Sequence, residues 1–509
     1  MQTTNNKYQH TFTKEYKMSI SIDELAVFAK KKGFVFPSTE IYGGMAGFFE
    51  YGPLGVELKN NIKSNWWKTF VQSREDVVGI DGSLISSAKI WEASGHLESF
   101  ADSLVQCVKC KKNHRADHLV EDKLKINVDG LNADALNKLI EDNKIKCPDC
   151  SGDLELAQAF NLMFPVQIGA EKTTDSTAYL RGETAQMIFA SFKSVIDSTR
   201  VKLPFGIAQI GKAFRNEISP RNFLFRTREF EQMELEYFIR PKDKKCPLLE
   251  KKHINLELQF YSAEDQNNKK EQKNTKISDM IKAKLLDEWH AYWLAESYMW
   301  FVNLGINPKN LRIREHTKQE LSHYSSATFD IDYRFPFGWK EIHGNANRGQ
   351  FDLTQHMKHS GKSLEMFDEE TSEKLIPRVV EPSFGVDRAL LTFLYDAYED
   401  DKKRGNIVLK LHPKLAPVKA GVFPLVNKLE KETRAVYDMI KDEFVCIFDK
   451  GGSIGRRYAR ADEQGIPYCV TFDFDSLENK EVTIRDRDTT KQERVKISEL
   501  KKILYEKLK

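Results

Sequence analysis

The 509-residue sequence lacks any run of about 18 consecutive apolar residues, the length that a transmembrane helix needs. Its first 17 residues are polar and lack the apolar stretch of a secretory signal peptide. We therefore expect a cytoplasmic protein with no membrane partner. A large excess of either charge is also missing, because 78 lysines and arginines face 75 aspartates and glutamates. The net charge of +3 neither requires nor excludes a polyanionic partner.

Cysteine is scarce, with seven residues in the whole chain, an odd number. Four of them form two C-x-x-C pairs, Cys107 with Cys110 and Cys147 with Cys150. In a large intracellular enzyme this pattern indicates a metal site rather than disulfides. The four thiolates could bind a structural zinc ion in a tetrahedral shell, and four free thiols are the alternative.

The length predicts two or three domains, because one hydrophobic core rarely extends over so many residues. Apolar periodicity predicts helices from residue 22 onward and over 56–71 and 386–398, and strands over 206–217, 226–239, 328–339 and 378–384. Residues 107–150 read as a polar insertion without a core of its own, and residues 263–274 as a surface loop. A charged cluster at 399–404 marks a boundary, beyond which strands and helices alternate as in a small α/β domain.

The segment FRNEISPRNFLFRTREFEQMELEYF, residues 214–238, reads as two strands around a loop. Alternation predicts that Arg215 and Glu217 share one face of the first strand. On the second strand, one face is predicted to present Arg226, Arg228, Phe230, Gln232 and Glu234. Arginine can hold phosphate oxygens through two donors and phenylalanine can stack on a purine, so this face suits ATP. The alternative is a charged edge hairpin without a ligand.

A second segment, EPSFGVDRALLTFL at residues 381–394, reads as a strand that turns into an apolar helix. Gly385 permits the sharp junction, and Arg388 lies in the first helical turn. The helix dipole disfavours a cation at that end, which points to an anionic ligand for Arg388. A structural ion pair is the alternative.

Together these segments, with their Phe-Arg-x-Glu and Gly-x-x-x-Arg signatures, resemble motifs 2 and 3 of class II aminoacyl-tRNA synthetases. Further stretches look like the dimeric glycyl-tRNA synthetases: YGPLGVELKNNI (51–62), RADHL (115–119), FNLMF (160–164), LRGETAQ (180–186), DLTQHMKHSG (352–361), GSIGRRY (452–458) and GIPYCV (465–470). The resemblance covers most of residues 18–500.

The resemblance implies an α+β fold in three parts. A polar tail (1–17) precedes a class II catalytic domain (18–410) built on an antiparallel sheet flanked by helices. That domain would contain a zinc-binding-like insertion (107–150) and a variable insertion (240–285), and an α/β anticodon-binding domain (411–509) would follow. The implied activity is that of a homodimeric ligase, which converts glycine and ATP to glycyl-adenylate with Mg²⁺ and transfers glycine to the 3′ end of tRNA(Gly).

The resemblance also implies site residues. The catalytic set is Arg215, Glu217 and Arg388. The ATP contacts are Arg215, Asn216, Glu217, Phe225, Arg226, Thr227, Arg228, Glu229, Phe230, Glu341, Ile342, Gly385, Val386, Asp387 and Arg388. The glycine contacts are Arg115, Glu183, Phe230, Glu231, Gln232, Met233, Glu234, Glu381, Pro382, Ser383, Phe384 and Gly385. Rival hypotheses are a non-catalytic nucleic-acid-binding subunit and activation of another small amino acid, such as alanine or serine.

Overall fold

A long, mainly antiparallel sheet organises the N-terminal part of the chain. The computed structural model describes residues 20–126, 128, 131–170, 176–321 and 325–509, so the predicted tail at 1–17 lies outside the described residues. The helices are α1 (Ile22–Lys32), α2 (Pro53–Trp67), α3 (Ala88–Ala93), α4 (His96–Ser99), α5 (Ala116–Leu124), α6 (Ala133–Asp142), α7 (Ala185–Thr199), α8 (Lys251–Ile254), α9 (Ala263–Asn267), α10 (Ile277–Lys282), α11 (Glu288–Asn303), α12 (Phe351–Ser360), α13 (Val386–Ala397), α14 (Glu430–Ile440), α15 (Ile454–Glu463), α16 (Phe474–Asn479) and α17 (Leu500–Leu508).

The strands follow the same chain order. They are β1 (Val35–Pro37), β2 (Phe49–Tyr51), β3 (Val77–Ile80), β4 (Ile85–Ser87), β5 (Ala101–Gln106), β6 (Asn113–Arg115), β7 (Gln158–Asn161), β8 (Phe164–Gln167), β9 (Thr177–Leu180), β10 (Phe205–Phe214), β11 (Glu229–Ile239), β12 (Glu257–Tyr261), β13 (Lys273–Lys276), β14 (Leu311–Glu315), β15 (Ala327–Phe335), β16 (Gly338–Gly349), β17 (Met366–Asp368), β18 (Glu373–Leu375), β19 (Arg378–Gly385), β20 (Tyr398–Asp401), β21 (Asn406–Leu409), β22 (Ala420–Pro424), β23 (Cys446–Phe448), β24 (Tyr468–Phe472), β25 (Glu481–Asp486) and β26 (Gln492–Lys496).

The main sheet of the described residues has nine strands in the order β13-β12-β14-β15-β16-β19-β11-β10-β3. Helices α2, α11 and α13 cover one face, with Trp66, Trp293 and Phe384 fully buried in the shared core. Helix α7 covers the other face through Phe189 and Phe192. Burial of each such side chain contributes about 1.5–3 kcal/mol, so both faces anchor the sheet. The mixed α+β class is confirmed.

The first predicted helix is confirmed as α1, and its ends show why it forms there. The Ser21 hydroxyl accepts a hydrogen bond from the Glu24 amide at 3.2 Å, and the Glu24 carboxylate accepts one from the Ser21 amide at 2.9 Å. Gly33 ends the helix with a φ of 80°, a conformation that favours glycine. The capping box and the glycine therefore fix both boundaries.

Two predicted strands around residues 214–238 are shorter than expected. β10 ends at Phe214 and β11 begins at Glu229, so the intervening loop is longer than predicted. The prediction of strand faces is therefore wrong for Arg215, Glu217, Arg226 and Arg228, which lie in the loop. A ladder ends where backbone partners run out, and side-chain alternation does not reveal that point.

The predicted single strand at 328–339 is wrong, because the chain forms β15 and β16 with a tight turn between them. Phe335 pairs with Gly338 across this turn. Pro336 lacks an amide hydrogen for the ladder, and Gly338 has a φ of 106°, which other residues rarely adopt. The break therefore follows from local backbone chemistry.

The predicted surface loop at 263–274 is also wrong. It contains α9, which the Ser262 hydroxyl caps by accepting from the Asp265 amide at 3.0 Å, and the start of β13, which pairs with β12 at the sheet edge. Polar composition obscured both elements, because edge strands and short helices need few buried residues.

The cysteine-containing insertion does have a small core, contrary to the prediction. Strands β5, β6 and β7 form a sheet, helix α5 packs against β5 and β6, and helix α6 packs against α5. The fully or nearly fully buried side chains include Val105, Val120, Leu136 and Ile145. This cluster is far smaller than the main core, so its hydrophobic contribution to stability is limited.

The C-terminal elements alternate as predicted up to residue 472. Within the described residues, the C-terminal part forms a five-stranded sheet in the order β23-β22-β24-β25-β26. After residue 472 the chain continues with α16, β25, β26 and α17, which the sequence did not predict. The charged cluster at 399–404 lies in the β20-β21 hairpin. Every helix among the described residues is too short or too polar to cross a bilayer.

Candidate active site

A cavity of about 520 Å³ opens over the ends of β11, β16 and β19 beside the β10-β11 loop. The predicted site residues that line it are Glu183, Arg215, Glu217, Phe225, Arg226, Thr227, Phe230, Gln232, Glu234, Glu341, Glu381, Ser383, Gly385, Asp387 and Arg388. Residues that sequence reasoning missed also line it: His96, Ser99, Phe100, Leu224, His316, Thr328, Asp330, Gly344 and Ala346. The fold thus gathers both predicted segments around one space.

Arg215 lies between two aromatic rings in the wall of the cavity. The carbon of its guanidinium is 5.2 Å from the ring centroid of Phe230 and 5.2 Å from that of Phe100. Its Nε donates to the Gly182 carbonyl at 3.2 Å. No described carboxylate pairs with this guanidinium, so its charge is available to an anion.

Arg388 faces the same cavity from the first turn of α13. Its Nη1 lies 3.2 Å from a carboxylate oxygen of Glu341, and its guanidinium carbon lies 4.5 Å from the Phe225 ring centroid. Burial acts to raise the pKa of Glu341, but Arg388 and neighbouring cations outweigh it and lower that pKa to about 2. The ion pair predicted as an alternative exists, and both partners also line the cavity.

Asp387 fixes the start of α13 to the sheet. Its carboxylate accepts from the Glu231 amide at 2.6 Å, from Lys59 at 3.3 Å and from the Tyr51 hydroxyl. Burial opposes ionisation of Asp387, yet Lys59 and these donors leave its pKa below the ordinary value. A carboxylate at a helix N-terminus is also favoured by the helix dipole. The neighbouring Arg388 is thereby held in place.

Buried carboxylates form another part of the cavity wall. Glu234 accepts from the Ser383 hydroxyl at 2.7 Å, from the Gln232 amide at 3.2 Å and from the Thr184 hydroxyl. Glu234 is 1% exposed, so these donors determine the orientation of its carboxylate. An oriented carboxylate is suited to an ammonium group.

Glu183 lies two residues before the start of α7 and also lines the cavity. Gln186 donates to one of its oxygens at 3.0 Å, and His96 lies 3.5 Å from the other. Burial acts to raise the pKa of Glu183, but His96 and Arg348 reverse the effect and lower it below the ordinary value. The carboxylate of Glu183 is therefore kept ionised in the cavity wall.

A buried arginine, Arg348, contacts three acidic residues of this region. It donates to both oxygens of Asp352 at 2.8 Å and to both oxygens of Glu381 at 3.0 Å, and it lies 3.7 Å from Glu183. Arg348 is 1% exposed, so this pairing offsets the cost of its burial. In the sequence, only the four-residue spacing of Arg348 and Asp352 could have indicated that this arginine is paired.

Glu236 lies one step deeper on the same face of β11. It is fully buried, and neither carboxylate oxygen has a hydrogen-bond partner among the described residues. Burial, reinforced by Glu381, raises its pKa well above the ordinary value. The folded protein therefore holds Glu236 protonated over a pH range in which the unfolded chain has lost that proton.

We expect Glu236→Gln to make the protein more stable than wild type at pH 8 but not at pH 5. An acid with a raised folded-state pKa loses stability as the pH rises above its unfolded pKa, by up to about 1.4 kcal/mol per pH unit. Glutamine resembles the protonated acid and does not ionise. Unfolding midpoints at pH 5, 6.5 and 8 check this, with the exposed Glu257→Gln as control. Parallel curves for wild type and variant would contradict it.

The remaining predicted site residues do not line this cavity: Arg115, Asn216, Arg228, Glu229, Glu231, Met233, Ile342, Pro382, Phe384 and Val386. Met233, Phe384 and Val386 are fully buried in the core, beneath the residues that do. Arg115 lines a separate, smaller cavity and forms ion pairs with Asp102 and Asp117.

The four predicted metal ligands converge in the insertion. The Sγ atoms of Cys107 and Cys150 are 3.5 Å apart, and those of Cys110 and Cys147 are 3.7 Å apart. All four lie within 4.8 Å of one another. A tetrahedral site with zinc–sulfur bonds of about 2.3 Å has sulfurs about 3.8 Å apart, so the cluster can hold a metal ion.

Comparisons with known proteins identify relatives of this chain. Residues 419–507 match the family described as "Anticodon binding domain". A protein named "Glycine--tRNA ligase" from Caldanaerobacter subterraneus subsp. tengcongensis is 46% identical over 500 residues, which cover 97% of this chain and 99% of that protein. Proteins of the same name from Geobacillus thermodenitrificans and Alkaliphilus oremlandii are also 46% identical, and the matches cover 96% of this chain and 98% and 99% of theirs.

Proposed function

This chain belongs to the glycine-tRNA ligase family, and we propose that the 520 Å³ cavity is the active site in which it activates glycine. The chain is an ATP-dependent aminoacyl-tRNA synthetase that joins glycine to tRNA. One observation carries the assignment of the site: arginines, aromatic rings and buried carboxylates line a single cavity. Arginines and aromatic rings suit the triphosphate and its base, and carboxylates suit the ammonium of glycine.

The catalytic fold is proposed to be that of class II synthetases, with the β10-β11 loop as motif 2 and β19-α13 as motif 3. A homodimer working in the cytoplasm is part of the same proposal. The exposed apolar side chains of Leu84 and Ile85, which follow the edge strand β3 in the chain, support a second copy against this segment. A monomeric mass in sedimentation equilibrium would contradict the dimer.

For the nucleotide, we place the adenine on Phe230 and the phosphates among Arg215, Arg226 and Arg388. Charged donors of this kind bind phosphate oxygens strongly. Glu341 and Asp330 line the cavity as oxygen ligands of the kind that Mg²⁺ prefers, and the ion would neutralise phosphate charge when bound. Glu217 completes the proposed catalytic set with Arg215 and Arg388.

For glycine, we place the ammonium between Glu183, Glu234 and Ser383. Glu381 stands behind them, oriented by Arg348. Discrimination against alanine is steric, because one extra methyl group must find room among oriented side chains. Such a methyl group is worth only about 1–3 kcal/mol, and no smaller amino acid competes for the site.

In the proposed reaction, a glycine carboxylate oxygen attacks the α-phosphorus of ATP. The bond from that phosphorus to the bridging oxygen breaks, and pyrophosphate leaves with the electron pair. Arg215 and Arg388 stabilise charge on the phosphate oxygens, so rate enhancement comes from positioning and electrostatics. The terminal adenosine hydroxyl of tRNA(Gly) then attacks the glycyl carbonyl and releases AMP. The C-terminal domain binds the anticodon end.

Amino-acid-dependent exchange between ATP and pyrophosphate tests this function. Among the twenty amino acids, glycine alone should support exchange at millimolar concentration or below. Equal exchange with alanine or serine would favour a different substrate. No exchange with any amino acid would favour the non-catalytic, nucleic-acid-binding alternative.

The cysteine cluster is proposed to bind a structural zinc ion. The support is the sulfur geometry, together with the closed four-sulfur ligand set, which leaves no open coordination position for catalysis.

A further inference from the structure

A second cavity, of about 170 Å³, adjoins the active-site cavity. Phe225 and Arg226 line both of them. Its outer walls come from α5 of the cysteine-containing insertion, from the β10-β11 loop and from the start of β16. The cysteine-containing insertion and the β10-β11 loop thus enclose a space that continues from the first cavity.

The second cavity carries more positive than negative side chains. Four cations, Arg115, Arg221, Arg226 and Lys340, line it with two acids. Arg115 is already paired with Asp117, whose Oδ1 accepts from its Nε at 3.0 Å. Arg221 and Lys340, in contrast, are exposed, and neither side chain has an ion pair or hydrogen bond within the described parts of the chain.

His118 lies in the wall of this cavity, close to its cations. Its Nε2 lies 3.4 Å from Nη1 of Arg226. Burial lowers the pKa of His118, Asp117 opposes that shift, and Arg115, Arg221 and Arg226 lower the pKa further, to about 3. The imidazole is therefore neutral at pH 7 and adds a polar but uncharged wall.

The cations are arranged in space from the first cavity to the second. Arg388 lines only the first cavity, Arg226 lines both, and Arg221 and Lys340 line only the second. Arg226 Nε lies 3.8 Å from a carboxylate oxygen of Glu217. Burial lowers the pKa of Arg226, Glu217 opposes that shift, and the positive charges of Arg115 and Arg388 add to it. An anion leaving the active site along this path would remain beside a cation at each point.

We propose that the second cavity receives the pyrophosphate released when glycyl-adenylate forms. The inference rests on the proposed placement of ATP in the first cavity. Pyrophosphate departs with the electron pair of the broken phosphorus–oxygen bond and carries several negative charges. The second cavity is too small for a whole nucleotide, but two phosphate groups can meet Arg226, Arg221 and Lys340.

The test uses the full-length Arg221→Ala/Lys340→Ala double variant. We expect the KM for pyrophosphate, measured as ATP formation from enzyme-bound glycyl-adenylate, to rise about tenfold or more. Product inhibition of glycylation by pyrophosphate should weaken by a similar factor. The KM values for glycine, ATP and tRNA should stay within about twofold of wild type. Lys282→Ala, on a side chain that is 77% exposed outside both cavities, is the charge-removal control.

Other results overturn the proposal. An unchanged KM for pyrophosphate would reject the site. An equal rise in the KM for ATP would mean that the two cations bind the intact triphosphate. A rise in the KM for tRNA alone would assign the cavity to phosphodiester groups of the acceptor strand. Wild-type protein without glycine-dependent exchange would instead reject the proposed active site itself, so the two failures are distinguishable.

Discussion

Arg215→Ala is expected to lower the rate constant for glycyl-adenylate formation by about 10²–10³-fold, with little change in stability. The guanidinium lies between Phe100 and Phe230 and pairs with no described carboxylate, so its removal leaves no buried charge without a partner. Its proposed role is to stabilise charge on the α-phosphate during the attack. Single-turnover adenylate formation, followed with labelled ATP, measures that step directly.

Two variants sharpen this experiment. Arg215→Lys retains a charge but loses the planar two-donor geometry, so it should recover only part of the rate. Arg494→Ala removes a surface arginine of the C-terminal domain and should leave adenylate formation unchanged. A large fall in the unfolding midpoint of Arg215→Ala, or a rise in the KM for ATP at unchanged rate constant, would contradict the proposed role.

Part of this site could be predicted from strand periodicity. Phe230, Gln232 and Glu234 alternate along β11, and all three line the cavity as that alternation predicts. Arg215 and Arg226 lie in the loop and not on the strands, yet they reach the same cavity. They do so because Ala213 pairs with Phe230, which brings the two ends of the loop together. The position of Arg215 and Arg226 at the cavity could therefore be predicted, although the prediction that they lie on strands was wrong.

The other walls could not be predicted, because they come from distant parts of the chain. His96 is the first residue of α4, Phe100 follows the end of that helix, and Asp330 lies on β15. Nothing in their local sequence marks them, since a histidine or an aspartate in a mixed segment is equally consistent with a solvated surface. Arg348 is similar: only the packed sheet shows that Asp352 and Glu381 meet it from two elements. Tertiary packing, not local propensity, selects these residues.

Removal of the proposed zinc ion should unfold the cysteine-containing insertion while the main sheet stays folded. A structural zinc ion contributes on the order of 10 kcal/mol, whereas the insertion has only a small cluster around Val105, Val120 and Leu136. The main core has its own buried tryptophans and does not depend on the thiolates. We therefore expect one zinc per chain, and loss of amide hydrogen-exchange protection over residues 107–150 after chelation.

The catalytic consequence of metal removal follows from where the insertion contacts the active site. Helix α5 supplies walls of the second cavity but none of the first, so glycyl-adenylate formation should persist while the KM for pyrophosphate rises. Cys107→Ser should reproduce the effect of chelation, whereas Cys446→Ser, outside the cluster, should not. Protein that is free of metal as purified yet fully protected over residues 107–150 would show that the four thiols need no ion. In that case hydrophobic packing around Val120 would be sufficient to fold the insertion.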